Sequence, residues 1–226
     1  MNNFNKEVGF VVGCDANQEW MLDWWMENYS KHNKLPVAIA NFGMSSKKLK
    51  KYKPITEIID LTSIKTKLPW FKKPLAIVNS PFKKTCLVDI DCEVLKPLDS
   101  IFNYLDEHHV CVTKDPLNTY CKKYITSEQI PMATGVVVAY SNNELIKEWA
   151  ERCVGEEDIR GDQEVFNNIL TERLKKKILS TKIRIIPDNY QWLRIYEMVR
   201  KNPEAYIIHW TGPDGKKIIK EKLKIV

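Results

Sequence analysis

Short apolar runs punctuate the chain at residues 7–14, 36–40, 58–61 and 85–88. Each lacks the polar alternation of a half-exposed strand, so each predicts a short strand buried on both faces. Between them the apolar positions recur at helical spacing. Trp20, Leu22, Trp24, Trp25 and Tyr29 are interleaved with Glu and Asp, which predicts a helix whose tryptophans pack into the core. Strands alternating with helices imply an α/β fold, with a mainly parallel, right-handed central sheet and helices on both faces. The second half is less regular: strands are expected at 110–113, 135–139, 183–186 and 206–209, and helices over about 142–153 and 161–176. Residues 115–131 carry turn formers and little periodicity, and are expected to form a long loop beside the functional site. No structure is assigned to the tail, 216–226, where five lysines sit among Ile and Leu.

Length and composition narrow this picture. At 226 residues, 44% hydrophobic and 28% charged, with no Gly/Pro/Ser linker, the chain reads as one domain. No apolar run approaches the roughly 20 residues of a spanning helix, and Met1 leads through polar residues into the first strand. Neither a signal peptide nor a membrane span is expected, and the chain reads as cytoplasmic. Six cysteines form no CxxC pair, and Cys14, Cys86 and Cys111 lie in apolar stretches, which suits free thiols in a reducing compartment. The net charge of +6 is compatible with nucleic acid, an anionic membrane or a phosphorylated ligand, and does not choose among them.

The acidic residues choose better. The run ending at Val88 delivers Asp89-Ile90-Asp91 to the carboxyl end of a strand, where open α/β sheets bind ligands. Alternation puts both aspartates on one side and turns Ile90 into the core. Two carboxylates so close repel unless a cation lies between them, and hard oxygen ligands suit magnesium, manganese or calcium. The plainer alternative is a polar turn after a strand. Asp162 is open to two readings as well: helix N-cap, or a carboxylate in the site. His209, after an apolar strand, is either a hydrogen-bonded core imidazole or a third ligand. His32, His108 and His109 have no partner motif and are expected at the surface.

Four segments together resemble GT-A nucleotide-sugar glycosyltransferases, and glycosyltransferase family 8 in particular, in the family's chain order. Residues 86–95 with Pro97-Leu98 resemble the DxD segment. Residues 132–140 resemble the strand that lines the acceptor side, with Ala133 where the family has Asn. Gly161-Asp162-Gln163-Glu164-Val165-Phe166-Asn167 resembles the "DQ" helix start, and Ile208-His209-Trp210-Thr211-Gly212-Pro213-Asp214-Gly215-Lys216 the end segment. The resemblance implies a single GT-A domain, with a nucleotide-binding half over about 1–95, an acceptor-side half over about 96–215 and a basic tail.

It also implies a donor, a nucleotide-diphosphate sugar linked to UDP, and Mn2+ or Mg2+ held by Asp89, Asp91 and His209. Ile90 would line the donor site, and Gly212 and Lys216 would meet the diphosphate. Asp162 and Gln163 would face the transferred sugar, and Asp162 is the candidate to contact that sugar or to take the acceptor proton. Asp15 and Asn17 follow the first strand, where such enzymes hold uracil and ribose. One of Lys72 and Lys73, beside Trp70 and Phe71, would contact a phosphate. The acceptor would be a glycan, glycoprotein or glycolipid, with retention of anomeric configuration and peripheral membrane contact through the basic tail. A sugar-phosphate nucleotidyltransferase would need a Gly-rich loop after the first strand, where Gly13-Cys14-Asp15-Ala16-Asn17 has one glycine. A nucleic-acid-binding protein would explain the charge but not the ordered acidic and His motifs.

Overall fold

The computed structural model describes residues 6–115, 131–176 and 182–225. In chain order its strands and helices are β1 (Val8–Asp15), α1 (Leu22–His32), β2 (Val37–Gly43), α2 (Ser46–Tyr52), β3 (Glu57–Asp60), α3 (Lys73–Val78), β4 (Lys84–Val88), β5 (Cys92–Val94), β6 (His109–Lys114) and β7 (Met132–Tyr140). There follow α4 (Glu144–Val154), α5 (Asp162–Lys175), β8 (Lys182–Ile185), β9 (Trp192–Leu193), α6 (Arg194–Val199), β10 (Ile207–His209) and α7 (Gly212–Leu223).

Seven strands form the central sheet in the order β3-β2-β1-β4-β7-β6-β8. All neighbours pair in parallel except β7, which runs against both β4 and β6. The strand alternation divides the core in two. Phe10, Val12, Ile39, Cys86 and Val138 point to one face, where Trp25 of α1 is buried. Val11, Ala38, Ala40, Leu87, Val112 and Val137 point to the other, beneath Trp149 of α4 and Phe166 of α5. Both faces are covered, as continuous apolar strands require.

The departures from the expected layout all bear on the site. A second sheet, β5-β10-β9, forms just past the end of β4, with β5 antiparallel to β10. Its strands are too short for periodicity to reveal, yet they carry Asp91 and His209 toward each other: Trp210 N donates to Asp91 O at 2.9 Å. Residues 212–216 open α7, and the tail left unassigned in sequence is the body of that helix. Gly215 makes this possible, since a Cβ there would lie 1.8 Å from the Trp210 carbonyl oxygen. Lys222 at the other end of α7 bonds the buried Glu93, which also accepts from Trp210 Nε1, so the helix is fastened across the second sheet.

Between β6 and β7 the register jumps: Val112 faces Val137 but Thr113 faces Ala133, which leaves residues 134–136 bulged out of that ladder. Bulges of this kind commonly aim side chains into sites. The five described cysteines are all buried and unbridged. Among the described residues no helix is long and apolar enough to cross a membrane.

Candidate active site

The carboxyl ends of β1 and β4, the β7 bulge and the first turns of α5 and α7 converge on a cavity of about 330 Å³. Its wall includes Lys73, Asp89, Ile90, Asp91, Thr134, Gly135, Asp162, Gln163, His209, Gly212 and Lys216. Two clusters can be distinguished within it.

The first is acidic and holds the imidazole. His209 Nε2 lies 3.1 Å from Asp91 Oδ1 and 3.8 Å from Asp89 Oδ2. Burial pushes the Asp89 carboxyl up to about 6, against the pull of Lys73 and His209. Partial burial of Asp91 opposes its ionisation, but His209 outweighs this and holds it below the usual carboxylate range. Two half-buried carboxylates and one imidazole nitrogen facing one space are a donor set that a hard divalent cation fits. Cys92 Sγ is also near, within 4.8 Å of ligand atoms of Asp91 and His209. Burial raises its thiol well above the ordinary value, so the protonated sulfur leaves the hard oxygens to dominate.

The second cluster centres on Lys73, which is 8% exposed. Its Nζ is 3.1 Å from Asp89 Oδ2, 3.0 Å from Asp162 Oδ2 and 3.2 Å from the Thr134 carbonyl oxygen. Burial alone would discharge this amine, but Asp162 and Asp89 more than compensate and push its pKa up. Lys73 therefore joins the two clusters, as a permanent cation between the DxD segment and α5.

The bulge supplies the remaining wall. Thr134 Oγ1 donates to Asp162 Oδ2 at 3.0 Å, and Thr134 N to Gln163 Oε1 at 3.2 Å. Asn167, one turn further along α5, bonds both backbone groups of Met132 and so fixes the helix to β7. Gly161 is the residue before α5, so Asp162 is not the N-cap: it is the first helical residue, with its carboxylate on Lys73. Trp149 Nε1 donates to the Asp162 carbonyl at 2.8 Å and ties α4 to the same turn.

The family model of nucleotide-diphospho-sugar transferases matches residues 70–224, more than half of the chain and all of these wall segments from Trp70 onward. The chain belongs to this family. Solved structures share its fold. It aligns with the galactosyltransferase LgtC in complex with donor and acceptor sugar analogs at 12% identity and TM-score 0.62, over 91% of this chain and 87% of that one. The bifunctional glycosyltransferase WbbM aligns at 12% identity and TM-score 0.65, over 95% of this chain but 47% of its own length. GlyE of Streptococcus pneumoniae aligns at 15% identity and TM-score 0.65, covering 93% and 55%. The chain thus spans about half the length of WbbM and GlyE and most of LgtC. No curated protein matches it in sequence.

In this member of the nucleotide-diphospho-sugar transferase family the residues expected from sequence divide clearly. Lys73, Asp89, Ile90, Asp91, Asp162, Gln163, His209, Gly212 and Lys216 are brought together. Lys72 is not among the lining residues; its Nζ donates to the Phe42 carbonyl at 3.3 Å. Asp15 also stands outside the lining: it caps the turn after β1 by accepting from Gln18 N at 3.0 Å and from the exposed Asn17 at 3.2 Å. Gln18, Phe42 and Trp70 line that end of the cavity instead. Of the expected loop, residues 116–130 lie outside the described residues; its two ends meet beside the site, where Asp115 Oδ2 accepts from Gln163 Nε2 at 3.0 Å. Sequence reasoning missed Thr134 as an Asp162 partner and missed Gln191 altogether. Buried Gln191 bonds His209 Nδ1 at 3.2 Å, and nothing in its neighbourhood forms a motif.

Proposed function

We propose that the chain transfers a sugar from a UDP-linked nucleotide sugar to a hydroxyl of a glycan, glycoprotein or glycolipid, with Mn2+ or Mg2+ held by Asp89, Asp91 and His209. The observation that carries this reading is the convergence of those three side chains on one cavity with Lys216 and the first turn of α7. When bound, such a cation supplies Lewis-acid stabilisation of the leaving diphosphate.

The chain's own residues do the rest. Lys216, on the first turn of α7, adds its charge to the positive end of a helix and suits a phosphate group. Trp70, Phe42 and Gln18 form the wall against which a base and ribose would lie. Asp162 Oδ2 already accepts from Lys73 and Thr134, so Oδ1 is the oxygen left to receive a sugar hydroxyl. Gln163, held by Thr134 and Asp115, stands next to it on the acceptor side. The bond between the anomeric carbon and the diphosphate oxygen breaks, and one from that carbon to the acceptor oxygen forms. With Asp162 occupied in binding, the acceptor proton passes to the departing diphosphate on the same face of the sugar, which is the route that retains configuration.

The two cores share one sheet, which supports a single catalytic domain with a nucleotide-binding half over about 1–95 and an acceptor-side half over about 96–215. Peripheral membrane contact has less support, because within the basic tail Lys216 lines the cavity and the Lys222 amine is paired with Glu93.

A ligand that binds only the folded state stabilises it by about 2.7 kcal/mol at roughly a hundred times its Kd. In a thermal-shift panel of nucleotide sugars the matching donor is expected to raise Tm by roughly 5–10 °C with Mn2+, and far less with chelator. The shift should grow from about pH 5 to about pH 7, because Asp89 must lose its proton to serve as a ligand. Equal shifts with and without the cation would remove the metal from this reading.

A further inference from the structure

Gln191 is 3% exposed and sits at the start of the short strand that runs beside His209. Its carboxamide fills the gap opened by the β7 bulge. Oε1 accepts from Val136 N at 2.8 Å and from Thr113 Oγ1 at 3.3 Å, while Nε2 lies 3.2 Å from His209 Nδ1. Gly135 gives both side chains bare backbone to pack on: a Cβ there would come within 2.6 Å of Nδ1 and 2.8 Å of Gln191 Nε2.

The orientation of this amide follows from its partners. A backbone N–H can only donate, so the Gln191 oxygen must face Val136 and its NH2 must face Nδ1. In the neutral ring Nδ1 then presents its lone pair, and the proton sits on Nε2, where Asp91 Oδ1 accepts it at 3.1 Å. A cation ligand needs the reverse, with the lone pair on Nε2 and the proton on Nδ1. Metal-bound histidines usually donate that second N–H to a carboxylate or carbonyl oxygen. Here it would point at an NH2. Turning the amide over relieves that clash only by setting the NH2 against Val136 N–H.

We infer that Gln191 is a positioning residue that holds His209 in the tautomer unable to ligate a cation, and so acts as a brake on cation affinity in the donor-free protein. The inference rests on the cation reading of Asp89, Asp91 and His209 given above. It implies that a cation must displace the Asp91–His209 hydrogen bond and disturb the Gln191 amide in order to bind.

Two measurements test it. Two-bond 1H–15N correlation spectra of the cation-free protein at mildly alkaline pH, with the His209 ring assigned by loss of its signals in His209→Gln, should show Nε2 protonated and Nδ1 bare. A proton on Nδ1 overturns the brake directly. The second is Mn2+ titration followed by the electron paramagnetic resonance signal of the free ion. Gln191→Glu offers oxygens to both Val136 N–H and Nδ1–H, and is expected to bind Mn2+ about ten-fold or more tighter than wild type. In a His209→Ala background the same substitution should gain nothing. An equal gain there would mean that the added charge alone attracts the ion, and would overturn the brake. So would wild type binding Mn2+ as tightly as Gln191→Glu. Binding by neither protein contradicts the cation reading itself, and is thereby told apart from failure of the brake alone.

Discussion

Asp91→Asn is expected to lower cation-dependent turnover of the donor by about a hundred-fold or more while the circular dichroism spectrum stays that of the wild type. The substitution keeps the shape of the side chain and an oxygen to accept from His209 Nε2, which lies 3.1 Å from Asp91 Oδ1. What it removes is one of the two carboxylates proposed as ligands, in a site where burial already raises the other, Asp89, to about 6. A single partly protonated carboxylate and an imidazole make a poor site for a hard cation. Unchanged turnover in Asp91→Asn would show that the residue has no part in holding one.

Lys73→Met should do more to the fold than to any single contact. Lys73 is the cation between Asp89 and Asp162, and removing it leaves the half-buried Asp89 and the buried Asp162 without their nearest counter-charge. Breaking a buried ion pair by removing one partner typically costs about 3–5 kcal/mol. We expect a loss of that size in urea denaturation at neutral pH, together with loss of turnover as Asp162 shifts away from Thr134. Lys73→Arg should lose much less stability, since a guanidinium can serve two carboxylates, though its bulk would still disturb the sugar side. A Lys73→Met protein as stable as wild type would show that the trio is not a structural link.

These two residues mark how far the sequence could be read. Asp89 and Asp91 were legible because an apolar strand must end somewhere, and carboxylates placed at its carboxyl end have few structural uses. Asp162 and His209 were legible as parts of longer segments. The choice between Lys72 and Lys73 was not: adjacent lysines look alike until the helix start turns one toward Asp89 and the other toward the Phe42 carbonyl. Gly212-Pro213-Asp214-Gly215 reads as a turn by local chemistry, and becomes a helix because only glycine fits against the Trp210 carbonyl. The small sheet β5-β10-β9 was invisible for want of length. Gln191 was invisible because its role depends on a register jump between β6 and β7, which no local pattern announces. Asp15 and Asn17 occupy the expected place after β1, but their side chains are spent on capping that turn.

On the function proposed above, this cavity releases a nucleoside diphosphate from a nucleotide sugar with the help of a divalent cation. The most direct measurement is the initial rate of nucleoside diphosphate release from a panel of nucleotide-diphosphate sugars, in manganese and after chelation, with a nucleoside triphosphate plus sugar phosphate as the competing substrate pair. We expect at least one UDP-linked sugar to be turned over in manganese and not after chelation, with no pyrophosphate released from the triphosphate pair. Pyrophosphate release with no turnover of any nucleotide sugar would show that the cavity is not a sugar-transfer site.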